Sequence, residues 1–189
     1  LNFGSTCMYP KSLRTLSERD LFTGDIEITN FGYAFAKLAG MRLLELEFNG
    51  VSHVTSLIPS NLYGPGDCFD SERAHLIPAI ILKISKALEF GGPVQIWGDG
   101  SARREFLYVS DLVEFVRILL RKAGMGHELP IRVNVGFGQD YSVLEYYETV
   151  AEVMGYHDGF KFDVTRPVGV FQKLVCSDGA LRLGWEPKI

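Results

Sequence analysis

Asn30-Phe31-Gly32-Tyr33-Ala34-Phe35-Ala36-Lys37, read together with Gly4-Ser5-Thr6-Cys7 upstream, is the stretch around which the chain is organised. Residues four apart on a helix share a face, so Tyr33 and Lys37 stand side by side as a phenol and an ammonium. A free phenol titrates at about pH 10, and a neighbouring cation favours phenolate and brings the group toward proton transfer at neutral pH. Ser5, arriving from elsewhere in the chain, supplies a hydroxyl that can hold a substrate oxygen against that phenol. With eight tyrosines and eight lysines in 189 residues, Tyr-x-x-x-Lys arises by chance about a third of a time. The flanking sequence therefore decides its meaning.

The composition, 47% hydrophobic over 189 residues, is that of a folded chain with a substantial core. A net charge of -4 and the lack of a Lys/Arg cluster argue against a nucleic-acid surface and favour a small anionic ligand. Cys7, Cys68 and Cys176 are odd in number and far apart, which suits a reducing compartment; no Cys-x-x-Cys pair points to zinc. There is no basic leader and no apolar run of membrane-spanning length. The expectation is a soluble cytoplasmic protein without a metal.

Working outward, Leu1-Asn2-Phe3 reads as the end of a strand, and Tyr9 to Glu27 as a polar surface loop with a turn at Gly24-Asp25. Thr29 or Asn30 caps a helix with apolar positions Tyr33, Leu38, Met41, Leu44 and Leu46, stopped by Asn49-Gly50. Val51 to Pro59 reads as a buried strand, and the loop after it, Ser60 to Gly66, as a binding edge, because ligands of open α/β sheets collect at carboxyl ends of strands. A helix follows over His75 to Phe90, with Leu76, Ile77, Ile80, Ile81, Ile84 and Leu88 as its stripe. Then come strand Val94 to Trp97, the turn Gly98-Asp99-Gly100, the apolar segment Glu105 to Val109, and a helix Leu112 to Lys122 capped by Ser110 or Asp111. Strand Ile131 to Val135, a helix from a Ser142 cap to Met154, strand Phe160 to Val164 and a short helical end at Leu181 to Trp185 complete the chain.

This alternation predicts an α/β fold with a mainly parallel sheet. No Gly-x-Gly-x-x-Gly follows a strand, although a dinucleotide fold normally places its pyrophosphate on such a turn. With no initiator Met at Leu1, the expectation is an N-terminal truncation of two or three βαβ units, roughly 60 to 100 residues.

Ser5, Tyr33-x-x-x-Lys37, Asn61-Leu62-Tyr63-Gly64-Pro65 and Arg104-Glu105-Phe106 before Asp111-Leu112 together resemble the extended short-chain dehydrogenase/reductase superfamily. Gly4 to Lys11, Pro59 to Asp67, Ala74 to Ala79 and Trp97-Gly98-Asp99-Gly100 point within it to enzymes that epimerise and reduce nucleotide sugars. The resemblance implies the C-terminal part of a Rossmann-like parallel-sheet domain interleaved with a smaller α/β substrate-binding domain. Its segments would be 1–66 and 105–136 for the dinucleotide domain, and 67–104 and 137–189 for the substrate domain.

The same resemblance implies Ser5, Tyr33 and Lys37 as the reductase triad, with Cys7 and His75 as the pair that moves protons at C3 and C5 beside a C4 ketone. It places NADP(H) against Phe3, Gly4, Ser5, Thr6, Lys37, Pro59, Ser60, Asn61, Leu62 and His75. A GDP-4-keto-6-deoxy sugar would lie against Lys83, Trp97, Arg104 and Lys173, where a diphosphate finds cations and a ring finds an aromatic wall. A homodimer through the Tyr33/Lys37 helix and the helix Leu112 to Lys122 is implied as well.

Other readings stand beside these. Cys7 alone is most simply a small buried hydrophobe, His75 a helix-start histidine, Trp97 a core residue and Arg104 the partner of Asp99 or Asp111. His53 reads as structural, His127 and His157 as solvated, Cys68 and Cys176 as bystanders, and Tyr9 and Tyr63 as packing residues. Pro167-Val168-Gly169-Val170-Phe171-Gln172-Lys173 departs from the family's usual Pro-Asp-Gly-x-x-Arg-Lys, which leaves the exact nucleotide sugar open. A 4,6-dehydratase is disfavoured because Cys7-Met8 stand where that branch carries Asp-Glu. A 4-reductase or 4-epimerase without 3,5-epimerisation remains an alternative, as does a non-catalytic dinucleotide-fold binding module.

Overall fold

The computed structural model describes residues 1–11, 15–48, 54–166 and 168–189. The expected helix stop at Asn49-Gly50, the beginning of the strand expected from Val51, His53 and Pro167 lie outside them. In chain order the elements are β1 (Asn2–Phe3), β2 (Thr15–Leu16), α1 (Phe31–Glu47), β3 (Ser56–Pro59) and β4 (Asn61–Tyr63). Next come α2 (Leu76–Phe90), β5 (Val94–Trp97), β6 (Arg103–Arg104), β7 (Phe106–Tyr108), α3 (Val109–Gly124) and β8 (Arg132–Val135). The last are β9 (Tyr141–Ser142), α4 (Val143–Met154), β10 (Phe160–Asp163), β11 (Gln172–Val175) and α5 (Asp178–Arg182). They form two compact units: Leu1–Leu62, Glu105–Asp140 and Gln172–Ile189 in the first, Tyr63–Arg104 and Tyr141–Phe171 in the second. The boundary at 171/172 divides the segment 137–189 that the sequence suggested was one piece.

The first unit is built on a parallel sheet in the order β1-β3-β8. Phe3 pairs with Leu57, and Pro59 with Val135, so the carboxyl ends of all three strands open onto one edge. Strand β3 is buried throughout, as a central parallel strand covered on both faces must be. Leu57, Leu107, Phe115, Leu119, Val133, Val135 and Trp185 form one core, with the Phe115 and Trp185 rings 5.1 Å apart. Met8, Tyr9, Leu16, Leu21, Met41, Ile58 and Val175 form a second.

That second core corrects the surface-loop expectation for Tyr9 to Glu27. Tyr9, Leu16 and Leu21 are buried, and β2 pairs in parallel with β11. A polar network fastens this segment to β8. The Tyr9 hydroxyl donates to Asn134 Oδ1 at 2.6 Å, Asn134 Nδ2 donates to Leu16 O at 2.8 Å, and Asn134 N donates to Glu18 Oε1 at 2.8 Å. Tyr9 is thus a packing residue, its phenol pushed up chiefly by burial.

Three helix expectations change. Asn30 occupies the N-cap of α1, but its side chain makes no capping bond, and a 3-10 turn over Ile28–Asn30 leads in instead. Only Ala34 and Met41 of α1 are buried, one stripe two turns long; Tyr33 and Leu46, assigned to the apolar face, are exposed. Helix α3 begins at Val109, so Ser110 and Asp111 lie inside its first turn rather than capping it. Asp111 is buried there because Oδ2 accepts the backbone N–H groups of Lys188 and Ile189, each at 3.0 Å, while its carbonyl accepts Trp185 Nε1 at 2.9 Å.

In the second unit β5 and β10 run parallel, β6 and β9 antiparallel, and α2 packs against α4. Ile80, Ile84, Val94, Ile96, Tyr147, Ala151 and Tyr156 make its core. The Ser142 cap expected for α4 is present as a reciprocal capping box with Glu145: Ser142 Oγ accepts Glu145 N at 3.1 Å, and Glu145 Oε2 accepts Ser142 N at 2.7 Å.

Because Asn134 is fully buried and joined to three groups, Asn134→Ala strands the Tyr9 hydroxyl and takes one of two donors from the Leu16 carbonyl, which keeps Cys176 N at 2.9 Å. Stranding a buried group costs about 1–3 kcal/mol and losing a further bond about 0.5–1.5 kcal/mol, so urea denaturation is expected to show a loss of roughly 2–4 kcal/mol. Tyr9→Phe, which strands only Asn134 Oδ1, is expected to lose less.

Candidate active site

Tyr33 and Lys37 lie in the first turns of α1, and the Lys37 ammonium sits 5.9 Å from the centre of the Tyr33 ring. Lys37 Nζ donates to Phe3 O at 2.9 Å, tying the helix to the last residue of β1. Two residues on, Ser5 caps a 3-10 turn over Thr6–Met8, and its Oγ accepts Cys7 N at 3.3 Å. That bond uses a lone pair and leaves the hydroxyl hydrogen for another acceptor. Cys7 is partly exposed rather than a buried hydrophobe. Phe3, Tyr33 and Lys37 are thus directly joined, and Ser5 and Cys7 are joined to each other one step along the same strand exit.

Gly4 is buried where β1 ends, and a side chain there would have to displace the Met8 methyl, 2.5 Å away. Across the edge, Pro59 and Ser60 are buried at the end of β3, and Ser60 N donates to Val135 O at 2.9 Å. The Ser60 hydroxyl is buried with no hydrogen-bond partner among the described residues. Such a group demands an acceptor or donor from outside the described protein. Asn61 Nδ2 donates to Glu105 O at 2.8 Å.

Glu105 stands within Arg104-Glu105-Phe106, but the sequence alone assigns it no role. It is 1% exposed, and its carboxylate accepts Gly138 N at 2.8 Å through Oε1 and Val175 N at 2.9 Å through Oε2. Burial pushes its carboxyl up to about 7. The N–H groups of Val175, Gly138 and Phe137 oppose that shift, and the charge of Asp140 adds to it.

In the second unit His75 is exposed at the N-cap of α2, without a capping side-chain bond. Lys83 Nζ donates to Gln95 O at 2.9 Å and to the Tyr147 hydroxyl at 3.1 Å, and burial lowers its pKa. It lies 5.1 Å from the Trp97 ring centre. Trp97 is not core: it is 54% exposed, and the Arg166 guanidinium lies 5.2 Å from the same ring. Arg166 and Tyr147 are thus members of this cluster that the sequence reading missed. Arg166 lies three residues past the end of β10, whose last residue, Asp163, pairs with Trp97, a position from which a cation reaches that ring.

Arg104 donates to Val168 O at 3.1 Å and Phe171 O at 3.4 Å. The carboxylates suggested for it have other bonds, Asp99 to Ser101 and Asp111 to the C-terminal backbone. Val168, Gly169 and Phe171, with Gly98, Asp99, Ser101 and Val164, line an open cavity of about 330 Å³.

Lys173 belongs to the first unit and pairs with Glu27 at 3.6 Å, both side chains largely buried. It would have to leave that carboxylate to reach a phosphate. Cys68 and Cys176 are free thiols. Among the described residues no cluster of His, Cys, Asp or Glu could hold a metal ion, and no helix is long and apolar enough to cross a membrane.

Residues 1–136 match the NAD dependent epimerase/dehydratase family. The whole chain is 43% identical to GDP-L-colitose synthase from Yersinia pseudotuberculosis, covering 62% of that protein. It is 44% identical to GDP-L-fucose synthase from Azorhizobium caulinodans, again over its whole length and covering 60% of that protein. The chain therefore spans about three-fifths of the length of these relatives. Its fold is similar to a solved GDP-mannoheptose C4 reductase from Campylobacter jejuni with NADP bound. The TM-score is 0.82 at 26% identity, over 99% of this chain and 64% of that one.

The raised carboxyl of Glu105 has a signed consequence. Its pKa of about 7 lies above its ordinary value of 4.5. The stability it contributes is complete below the lower value and is lost as pH climbs through the upper one. Between about pH 5 and about pH 8.5 the native protein is expected to lose roughly 2–3 kcal/mol from this group. Glu105→Gln, which cannot ionise, is expected to flatten that slope in urea denaturation.

Proposed function

The chain belongs to the NAD dependent epimerase/dehydratase family, and we propose that it carries the catalytic residues of an NADPH-dependent enzyme converting GDP-4-keto-6-deoxy-D-mannose to GDP-L-fucose. The observation that carries this reading is the tie from Lys37 to Phe3 O, with Tyr33 beside it on α1 and Ser5 at the same strand exit. The 44% identity to a protein named GDP-L-fucose synthase supports the substrate. Ser60 supports the cofactor, since its buried hydroxyl lacks a partner among the described residues at the edge where β1 and β3 end in Phe3 and Pro59 and which Gly4, Thr6 and Leu62 follow in sequence. These groups, with Ser5, Asn61, Lys37 and His75, are the proposed NADP(H) contacts.

In the first stage the C4 ketone acidifies the hydrogens at C3 and C5. Cys7 and His75 act as the proton-transfer pair, each carbon losing a proton from one face and regaining one on the other. Ser5 and Tyr33 donate hydrogen bonds to the enolate oxygen while it carries charge. Bound NADPH then supplies the hydride that reduces C4. Tyr33 gives its proton to the C4 oxygen, the Lys37 ammonium stabilises the phenolate left behind, and solvent restores the proton.

The second unit is the proposed sugar-nucleotide binder, with Lys83, Arg104 and Arg166 as cations and Trp97 as the aromatic wall. Assembly as a homodimer belongs to the same reading. On α1 the Phe31 and Phe35 rings stack 5.6 Å apart and stay exposed, as do Val113 and Leu120 on α3. The three free thiols suit the cytoplasm. A 4-reductase without epimerisation is the second reading, favoured by the likeness to the C4 reductase.

In the full-length protein, Tyr33→Phe is expected to lower kcat about 10²- to 10⁴-fold. Cys7→Ala and His75→Asn are expected to abolish incorporation of solvent deuterium at C3 and C5 of the 4-keto sugar, while reduction of an already epimerised substrate survives. Deuterium incorporation unchanged in both variants would overturn the epimerase assignment and leave the reductase.

A further inference from the structure

Glu105 has no part in the chemistry above, yet it is the most thoroughly buried carboxylate among the described residues and is bonded at three points. Its carbonyl takes the Asn61 amide, on the loop that leaves β3. One carboxylate oxygen takes Gly138 N, on the loop that leaves β8, and the other takes Val175 N at the end of β11. Gly136 leaves room for this. A side chain there would run into the Glu105 carboxylate and Val175, while Ser177 Oγ accepts Gly136 N at 2.9 Å and donates to Gly136 O. One residue therefore joins the exits of two neighbouring parallel strands to a third strand that comes from the far end of the sequence.

We propose that Glu105 is a positioning residue for the cofactor edge: it fixes the Ser60–Leu62 loop in register with the Phe137–Gly138 loop, so that the edge meets the nicotinamide cofactor already ordered. The inference rests on the proposed function, which makes Ser60 to Leu62 the cofactor side of the site. A carboxylate suits the task because both of its oxygens accept, and the backbone groups bonded to it, Gly138 N and Val175 N, are both donors. In Glu105→Gln the amide group is itself a donor and must turn against either Gly138 N or Val175 N. In Glu105→Asp the shorter side chain reaches Gly138 N or Val175 N and not both, so the Glu105 backbone, whose carbonyl holds Asn61, is no longer pinned to the β8 exit and to β11 together.

The test is NADPH titration and steady-state kinetics of the full-length protein and these two variants. Loss of one charge-assisted hydrogen bond corresponds to about a tenfold change. KM for NADPH is therefore expected to rise about tenfold in Glu105→Gln and Glu105→Asp, with kcat at saturating NADPH within about twofold of the parent. A merely structural role predicts lower thermal stability with KM unmoved, and that result overturns the inference.

Should the variants fail to fold, hydrogen exchange of the parent protein decides. NADPH is expected to slow exchange together in peptides covering 60–62, 136–138 and 172–176. Slowing confined to 60–62 overturns the inference while leaving the functional reading intact. A parent protein that binds no NADPH sinks the functional reading and the inference with it.

Discussion

The parallel register of β1, β3 and β8 is the constraint on which the first unit depends. With Phe3 opposite Leu57 and Pro59 opposite Val135, three strand exits lie along one edge. Every reactive or ligand-seeking group of that unit is a short step from one of them. Ser5 and Cys7 follow β1, and Ser60 and Asn61 follow β3. Lys37 reaches the edge from α1 by bonding the last carbonyl of β1. A one-residue slip of β3 would turn its alternate residues to the opposite faces and break this convergence.

Buried polar groups hold that edge in place. Asn134 on β8 bonds Tyr9, two residues past Cys7, and Leu16, while Glu105 takes the β3 exit on its backbone carbonyl and the β8 exit on its carboxylate. Both side chains are fully or nearly fully out of water, where a partnered polar group specifies one arrangement and an unpartnered one is penalised. The second unit uses a different device. Trp97 faces out of β5 with Lys83 and Arg166 against its ring, which concentrates positive charge beside an aromatic surface.

Legibility followed the range of the interactions. Helices α2 and α4 were readable because their stripes and the Ser142–Glu145 box are local, and β5, β8 and β10 because their apolar runs are bounded by turn residues. The pairing of Tyr33 with Lys37 was readable because the two are four apart on a helix. β2, β6 and β9 were missed because strands of two residues carry no period, and β11 because its first half, Gln172-Lys173, is polar. The burial of Tyr9, Leu16 and Leu21 was missed because their partners, Met41, Ile58 and Val175, are distant in sequence. The partners of Asp111 and Lys173, near residue 188 and at Glu27, were not legible for the same reason. The outward face of Trp97 was legible. Val94 and Ile96 alternate inward, so Gln95 and Trp97 face out.

The central claim is that this edge, with Tyr33 and Lys37 over it, is where a sugar ketone is reduced. Its most direct test supplies the full-length protein with NADPH deuterated at the transferable position and GDP-4-keto-6-deoxy-D-mannose, and follows the sugar by mass spectrometry and NMR. Deuterium is expected at C4 of the product, and its appearance is expected to slow sharply in Tyr33→Phe and Lys37→Met. Product without deuterium at C4, or labelling at the parent rate in both variants, would contradict the claim.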